Sequence, residues 1–253
     1  MSWQPVDCHA HSTHSDGTLT VAEIVDLARE RGVRPSVADH ITSDIAKGIR
    51  TVDGVVPYLE DLEGHDVLRG GEFCWHDTLW RELPPAIVTR FSHRLGSLHA
   101  VAVDSGALVH AFRRFPPALT PDAYMQSHIR AFEALASEMP VDILAHPTLL
   151  PIPLRKLPLE ELWTEEREDR AVDALFHAGI AFEISNRYRP HERFVRRAVD
   201  RGVRIALGSD GHTVTQVADV AWPLALARSL GVSDAALYDP AVHGSRTGGA
   251  HAR

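Results

Sequence analysis

Lysine and cysteine are scarce in this chain of 253 residues. The two lysines are Lys47 and Lys156, and the two cysteines are Cys8 and Cys74. Two cysteines are too few for a disulfide framework, so a reducing compartment is expected. No run approaches the roughly 18 apolar residues that span a bilayer, and the start "MSWQPVDCHAH" lacks the basic and apolar regions of a signal peptide. These absences predict a cytoplasmic protein with no membrane segment.

An excess of positive charge is also missing. The chain carries 26 basic residues against 34 acidic ones, a net charge of -8. Proteins that bind a phosphate backbone need a basic surface, so nucleic acid is not the expected partner and a small substrate is favoured. Nothing in the composition indicates the oligomeric state. Histidine, in contrast, is abundant at 16 residues, and the stretch "VDCHAHSTHSDG" at 6–17 concentrates three of them.

Seven short apolar runs alternate with amphipathic stretches along the chain. The runs predict strands at 5–9, 34–40, 65–75, 93–103, 141–147, 180–185 and 203–212. The amphipathic stretches predict helices at 19–32, from about 120, and at about 165–178, 192–201 and 215–230. Such alternation is typical of a parallel α/β sheet, and this length favours a closed barrel. With no linker or repeat, we expect one barrel domain over 1–240 and a flexible C-terminal tail over 241–253.

Residue types that bind metals stand at the end of nearly every predicted strand. They are His9, His11 and Asp16 after the first strand, then His40, Glu72, His99 and His146, and finally Asp210 and His212 after the last. In a parallel barrel the carboxyl ends of all strands meet on one face. A single histidine is most often structural, but chance does not repeat the pattern at strand after strand. We therefore predict a site for more than one metal ion, and six histidines suit Zn, Fe or Mn better than Mg or Ca.

The same residues carry a family signature. The motifs "DCHAHSTHSDGTLT", "VADH", "GGEF", "GSLH", "LAHP" and "LGSDGH" resemble, in order and spacing, those of the PHP (polymerase and histidinol phosphatase) family over about Asp7 to His212. The resemblance implies a distorted seven-stranded (β/α) TIM-like barrel with a trinuclear metal centre, and we expect two to three divalent transition-metal ions to be bound. It also implies three ligand groups: His9, His11, Glu72 and Asp210; Glu72, His99 and His146; and Asp16, His40 and His212.

The reaction expected from this resemblance is hydrolysis of the phosphate monoester of a small metabolite, as in a histidinol phosphatase. Two ions bridged by Glu72 would share a water and lower its pKa, which supplies a bridging hydroxide. Asp210 and Arg187 join Glu72 as catalytic candidates. Arg187 follows the sixth strand and is expected to bind the phosphate through its planar guanidinium, with a solvated surface position as the equal alternative. Asn186 and Ser97 are weaker candidates for binding substrate.

Three other functions stay open. A nucleotide phosphatase or exonuclease of the same family is one, since "HSTHSDG" is closer to the general phosphoesterase type while "RLGSLH" leans toward histidinol phosphatases. An amidohydrolase that cleaves C–N or C–O bonds is another. That superfamily also begins with HxH and often bridges its ions with a carboxylated lysine, but neither lysine here ends a predicted strand. A non-catalytic metal-binding domain is disfavoured by the complete ligand set.

Overall fold

The computed structural model describes residues 3–245. Its helices are α1 (Val21–Glu30), α2 (Val52–Glu63), α3 (Leu79–Glu82), α4 (Pro85–Val88), α5 (Pro121–Glu138), α6 (Leu159–Leu162), α7 (Glu165–Ala178), α8 (Glu192–Arg201), α9 (Ala221–Ser229) and α10 (Pro240–His243). Its strands are β1 (Ser36–Val37), β2 (His40–Ile41), β3 (Leu68–Arg69), β4 (Glu72–Cys74), β5 (Leu95–Ser97), β6 (Ala100–Ala102), β7 (Leu108–His110), β8 (Ile143–Leu144), β9 (Ala181–Ser185) and β10 (Ile205–Gly208). Within the described residues, no helix is both long and apolar enough to cross a bilayer.

A parallel sheet forms the centre of the molecule. Six strands follow the order β10-β9-β8-β5-β4-β2, and β1 pairs with β3 as an extension of the β2–β4 pair. The N-terminal segment (residues 6–11) lies between the two edges of this sheet. On one side the Cys8 amide donates to the Leu207 carbonyl, and on the other the Ala38 amide donates to the Ala10 carbonyl, both at 2.8 Å. Seven strand positions are therefore linked in a ring, as a β/α barrel requires.

The helices around the barrel begin and end at residues suited to those positions. Four of them start at a threonine whose side chain accepts an amide of the first turn: Thr20, Thr51, Thr120 and Thr164. At the start of α1, Glu23 also accepts the Thr20 amide at 2.8 Å, which confirms the capping box that the sequence suggests. Gly179 and Gly202 end α7 and α8 with φ of 68° and 85°, a conformation that costs glycine little.

Aromatic side chains pack the helices onto the outside of the sheet. Trp163 is fully buried and lies 4.7 Å from Phe194 of α8, measured between ring centroids. Phe194 in turn meets Phe182 of β9 edge to face at 5.0 Å. Burial of such large apolar surfaces is the main driving force for folding. This outer core holds the strands so that their carboxyl ends open on one face.

Several segments differ from the elements predicted from sequence, among them the following. The run at 93–103 is two strands, because the barrel strand ends at Ser97 and Ala100–Ala102 pairs antiparallel with Leu108–His110. The last long helix begins at Ala221, since residues 214–218 form turns in which Ala218 has a φ of 59°. Helix α2 occupies a region where no helix is predicted. The proposed tail at 241–253 is described only to residue 245, and residues 246–253 lie outside the described part of the chain.

Candidate metal centre

The nine residues predicted to bind metal lie together in the barrel, where His40 and Glu72 are the first residues of β2 and β4 and His99, His146, Asp210 and His212 follow β5, β8 and β10. Seven of them are buried, and Asp16 and His212 are partly exposed at the mouth. Although they come from widely separated parts of the sequence, each has a carboxylate or imidazole of another member within 4 Å. The structure therefore brings the whole predicted set into one cluster, named here the Glu72 centre. Their roles as ligands stay predictions.

Glu72 stands at the middle of this centre with no exposed surface. Its Oε2 lies 2.6 Å from His40 Nδ1 and 3.4 Å from His9 Nε2. Its Oε1 lies 3.0 Å from His146 Nε2 and 3.3 Å from His99 Nε2. Each carboxylate oxygen thus faces a different pair of imidazoles. Oxygens that face separate imidazoles would allow one carboxylate to be shared by two cations.

Asp16 and Asp210 contact the imidazoles on the other side of the centre. Asp16 Oδ1 lies 3.3 Å from His212 Nε2 and 3.6 Å from His40 Nε2. Asp210 Oδ1 lies 3.3 Å from His11 Nε2 and 3.6 Å from His212 Nδ1. His11, Asp16, His40 and His212 form one group whose ligand atoms fall within 4.8 Å of one another, next to groups built on Glu72. The donor atoms suffice for more than one ion.

Several of these buried atoms have no hydrogen-bond partner among the described residues. They include His9 Nε2, both ring nitrogens of His11, His40 Nδ1 and Glu72 Oε2. Leaving such groups unpaired costs about 1–3 kcal/mol each, so a native protein normally satisfies them. Tetrahedral zinc with bonds of about 2.0–2.1 Å holds its ligand atoms about 3.3–3.4 Å apart, which matches several of the distances above. The residues therefore fit a set of divalent transition-metal ions.

Burial and neighbouring charge set the protonation states of Glu72 and His11. Burial raises the pKa of Glu72, but the imidazoles of His40, His99 and His9 outweigh it and hold this pKa well below its usual range. Burial, together with nearby imidazoles, lowers the pKa of His11 to about 3. At neutral pH, Glu72 is therefore ionised and His11 is neutral. These are the forms that coordinate metals.

Glu183 supports the centre from below and is absent from the predicted ligand set. Its Oε1 accepts a hydrogen bond from His9 Nδ1 at 2.8 Å, and its Oε2 accepts one from the backbone amide of His146. A carboxylate on the far nitrogen of a ligand histidine fixes its tautomer and orientation. Gly208 makes room for this contact, since a Cβ at that position would overlap Glu183 Oε1. The signal in the sequence is an acidic residue two positions before the end of an otherwise apolar strand, "AFEIS".

Two of the predicted ligands have an unusual backbone. His146 and Asp210 have φ values of 31° and 50°, in the left-handed region. That conformation costs a residue with a side chain roughly 1–2 kcal/mol. Such strain persists only where surrounding contacts enforce it, and it concentrates at functional sites. Here the Asp210 amide donates to the His9 carbonyl at 2.8 Å, which holds the loop after β10 against the N-terminal segment.

Two guanidinium groups lie at the mouth of the centre. Arg187 Nη1 lies 2.8 Å from His212 Nδ1, and the Arg187 guanidinium is 5.7 Å from the Tyr188 ring. Arg155, which is absent from the predicted site residues, lies 5.2 Å from the same ring and 5.1 Å from Phe112. The Tyr188 ring meets His146 edge to face at 5.4 Å. Arg155 carries no motif in the sequence, and only the fold places it here.

The two weaker substrate-binding candidates have protein partners. The Asn186 amide donates to the carbonyl and the carboxylate of Asp219, both at 2.9 Å, and its oxygen accepts from Arg189. Ser97 is fully buried, donates to the Phe73 carbonyl at 3.1 Å and lies 3.3 Å from His99 Nδ1. Both side chains thus contact the structure that surrounds the ligands. Their proposed contact with substrate stays a prediction.

A likeness to a solved structure supports the same fold. The chain is similar to a crystal structure of histidinol phosphate phosphatase from Lactococcus lactis subsp. lactis Il1403, in complex with zinc, L-histidinol and phosphate. The match has a TM-score of 0.69 at 16% identity and covers 94% of this chain and 95% of that one. At this identity the likeness confirms the predicted α/β fold.

A second structure, from Bifidobacterium adolescentis, matches with a TM-score of 0.35 and 17% identity over 93% of this chain and 97% of that one. This value is too low to carry an argument. No protein-family model matches the chain. No curated protein matches it in sequence either.

Proposed function

We propose that this protein is a metal-dependent phosphoric monoester hydrolase that acts on a small phosphorylated metabolite. One observation carries the proposal. Glu72 is a fully buried carboxylate whose two oxygens face separate imidazole pairs, within a cluster of six histidines and three carboxylates. Bound divalent ions would polarise the phosphoryl oxygens and lower the pKa of water there. The fold shared with a histidinol phosphate phosphatase that binds zinc and phosphate is consistent with this chemistry.

The chain's own residues have separate tasks in the proposed reaction. His9, His11, Glu72 and Asp210 would hold one ion, with Glu72 shared with His99 and His146, while Asp16, His40 and His212 would hold a third. Zn, Fe and Mn all suit this donor set. Glu183 and the strained backbone at His146 keep the imidazoles in place before any substrate arrives. Such preorganisation is where enzymes gain most of their electrostatic stabilisation.

Arg187 and Arg155 are proposed to bind the phosphate at the mouth. A guanidinium presents a planar fork that matches two phosphate oxygens. Both groups lie against Tyr188, on the side of the centre where His146 and His212 stand. They would orient the phosphorus toward the buried ligands and offset the charge that develops on its oxygens. The apolar ring of Phe112 beside Arg155 offers a surface for the organic part of the substrate.

The structure weakens the amidohydrolase alternative. That reading favours a lysine at a strand end as the bridging ligand, but Lys47 and Lys156 are both exposed. The position between the imidazole pairs is occupied by Glu72. A nucleotide phosphatase or exonuclease would use the same metal centre and would differ only in the substrate bound at its mouth. Activity tests with different substrates therefore distinguish this alternative from the main proposal.

The test is phosphate release by purified protein reloaded with Mn, Zn or Fe. Substrates are p-nitrophenyl phosphate, histidinol phosphate and a panel of nucleotides. We expect release with a small-metabolite ester preferred, and kcat/KM reduced more than about a hundredfold in Glu72→Gln and His9→Ala. The exposed His177→Ala serves as the matched histidine control and keeps full activity. Metal-loaded protein that releases phosphate from none of these substrates would contradict the proposal.

A further inference from the structure

A second cluster of metal-binding side chains lies at the rim of the barrel, outside the Glu72 centre. Asp44 follows β2, His76 follows β4 and His110 ends β7. We name these three residues the rim cluster. Their ligand atoms lie within 4.8 Å of one another, and all three side chains are largely buried, with exposed fractions of 21%, 10% and 8%. No sequence motif connects them, and the sequence alone predicts a structural role for each histidine.

The distances in the rim cluster repeat those of the Glu72 centre. His76 Nε2 and His110 Nδ1 each lie 3.3 Å from the same oxygen, Asp44 Oδ2. Three ligands of a tetrahedral ion with bonds of about 2.0–2.1 Å are separated by this same length. The two imidazole rings meet nearly at right angles, with centroids 5.3 Å apart. Both rings therefore direct a nitrogen at one carboxylate oxygen without stacking on each other.

Buried nitrogen atoms without hydrogen-bond partners also indicate a metal site. Neither ring nitrogen of His76 has a hydrogen-bond partner among the described residues, and both are inaccessible to solvent. In the Glu72 centre both ring nitrogens of His11 show this same feature, and His9 Nε2 and His40 Nδ1 are also unpaired. A buried imidazole that only packed in the core would be expected to pair at least one nitrogen. The rim cluster therefore lacks a partner that a bound cation would supply.

We propose that Asp44, His76 and His110 form a mononuclear transition-metal site, separate from the Glu72 centre. Two imidazoles and one carboxylate make a donor set that suits zinc and its neighbours, and three protein ligands leave a coordination position for water or a substrate group. The ligands come from three segments, so the ion would join the β6–β7 hairpin to the loops after β2 and β4. The Ala111 amide donates to the His99 carbonyl at 2.8 Å, which places this joint directly beside the Glu72 centre.

The surrounding charges permit a cation here. Arg113 Nη2 lies 3.1 Å from the other oxygen of Asp44, Oδ1, and its side chain is 62% exposed. Its charge is therefore screened by solvent, and Oδ2 keeps its free lone pairs. Asp77 follows His76 directly in the chain and adds a second negative charge nearby. Asp44 and Asp77 together outweigh Arg113, so the local field favours a positive ion.

Metal stoichiometry tests the proposal without relying on activity. The full chain is stripped with a chelator, titrated with Co²⁺ and freed of excess ion, and the bound cobalt is measured by mass spectrometry and by its visible absorption. We expect His76→Ala/His110→Ala to bind one ion fewer per chain than the native protein. His9→Ala, which alters only the Glu72 centre, keeps the absorption band of the rim ion. His65→Ala/His177→Ala is the matched control, with two histidines removed elsewhere, and keeps native stoichiometry.

A conservative variant guards against misfolding of the double mutant. Asp44→Asn preserves the shape of the side chain but removes its charge, and we expect the affinity of one ion to fall more than roughly tenfold, beyond the effect of losing an outer-shell partner. Circular dichroism checks that each variant is folded. Equal numbers of bound ions in the native and doubly substituted chains, zero included, would overturn the proposal. Because the readout is bound metal, this result is independent of whether phosphate is released.

Discussion

The imidazoles of the Glu72 centre depend on carboxylates that do not themselves face an ion. Glu183 fixes the ring of His9 and the backbone of His146, which are proposed to bind different ions. Asp39 plays a similar part behind the first motif, where it accepts from the amide of Ser12 at 2.8 Å and from its hydroxyl at 2.6 Å. A ligand histidine in a preset orientation loses less entropy when an ion binds. In the proposed centre, residues such as Glu183 and Asp39 would thus set the affinity for metal ions.

Substitution of Glu183 by glutamine tests this dependence. Both partners of the Glu183 carboxylate are donors, whereas a glutamine side chain offers one acceptor and one donor, so one contact must be lost. We expect the zinc affinity of the Glu72 centre to fall about 10–100-fold, measured by competition with a chromophoric chelator. Glu133→Gln, which alters a carboxylate paired with Arg170 at the surface, is the control and keeps native affinity. Unchanged zinc affinity in Glu183→Gln would contradict the assigned role.

Sequence patterns reveal ligands and hide their supports for a physical reason. His9, His11, Glu72 and Asp210 stand in short motifs, because a strand end fixes the position of the residues that follow it. The rim cluster and Arg155 have no such motif. They are brought to the mouth by loops and by a hairpin whose path depends on tertiary packing. Residue type, position at the predicted strand ends and the family motifs therefore predicted the cluster of the Glu72 centre, while the surrounding residues became visible only in the fold.

At the scale of elements, helix α2 shows how local signals can mislead. The segment at 52–63 contains Gly54 and Pro57, both of which argue against a helix interior. Its inward face is nevertheless Val55, Tyr58, Leu59 and Leu62, with the three- and four-residue spacing of an amphipathic helix. Burial of this face outweighs the two unfavourable residues. The hairpin of β6 and β7 was missed for the opposite reason, because its first strand continues the apolar run of the barrel strand before it.

The packing of α5 contains a histidine that opposes folding in acid. His128 is buried beside Trp163, at 5.6 Å between ring centroids, and burial lowers its pKa to about 3. In the unfolded chain its pKa is about 6.5. As the pH falls below about 6.5, the unfolded state binds a proton that the folded state refuses, so folding stability declines until about pH 3. One such group lowers the free energy of unfolding by about 2 kcal/mol at pH 5 relative to neutral pH.

Replacement of His128 by glutamine should remove this cost. We expect the loss of unfolding free energy between pH 7 and pH 5, measured by urea titration, to be about 2 kcal/mol smaller in His128→Gln than in the native protein. The exposed His177→Gln removes a histidine from the neighbouring helix α7 and should keep the native pH dependence. The same pH dependence in His128→Gln and the native protein would show that His128 takes up its proton in the folded state.

At the scale of the whole molecule, the Glu72 centre joins nearly the entire ring of strands. The residues predicted to bind metal come from the N-terminal segment and the turn after it, from the first residues of β2 and β4, and from the segments after β5, β8 and β10. The imidazole and carboxylate atoms at the middle of this cluster are buried without hydrogen-bond partners, which lowers the stability of the fold. A bound cation would remove this cost. In the proposed enzyme the ions needed for chemistry would therefore also hold the strands together.

Removal of metal should accordingly lower the stability of the complete fold. A ligand present at a thousand times its dissociation constant stabilises the folded state by about 4 kcal/mol. For a chain of this size each kcal/mol corresponds to about 2–4 °C, so chelation is expected to lower Tm by about 10 °C. Calorimetry at stepwise free zinc concentrations measures this shift, which should rise with the logarithm of zinc concentration. Glu72→Gln removes the bridging charge and should flatten that dependence. An equal Tm with chelator and with zinc would contradict this prediction. It would mean that metal ions do not stabilise the fold and that any role of the cluster is limited to the substrate.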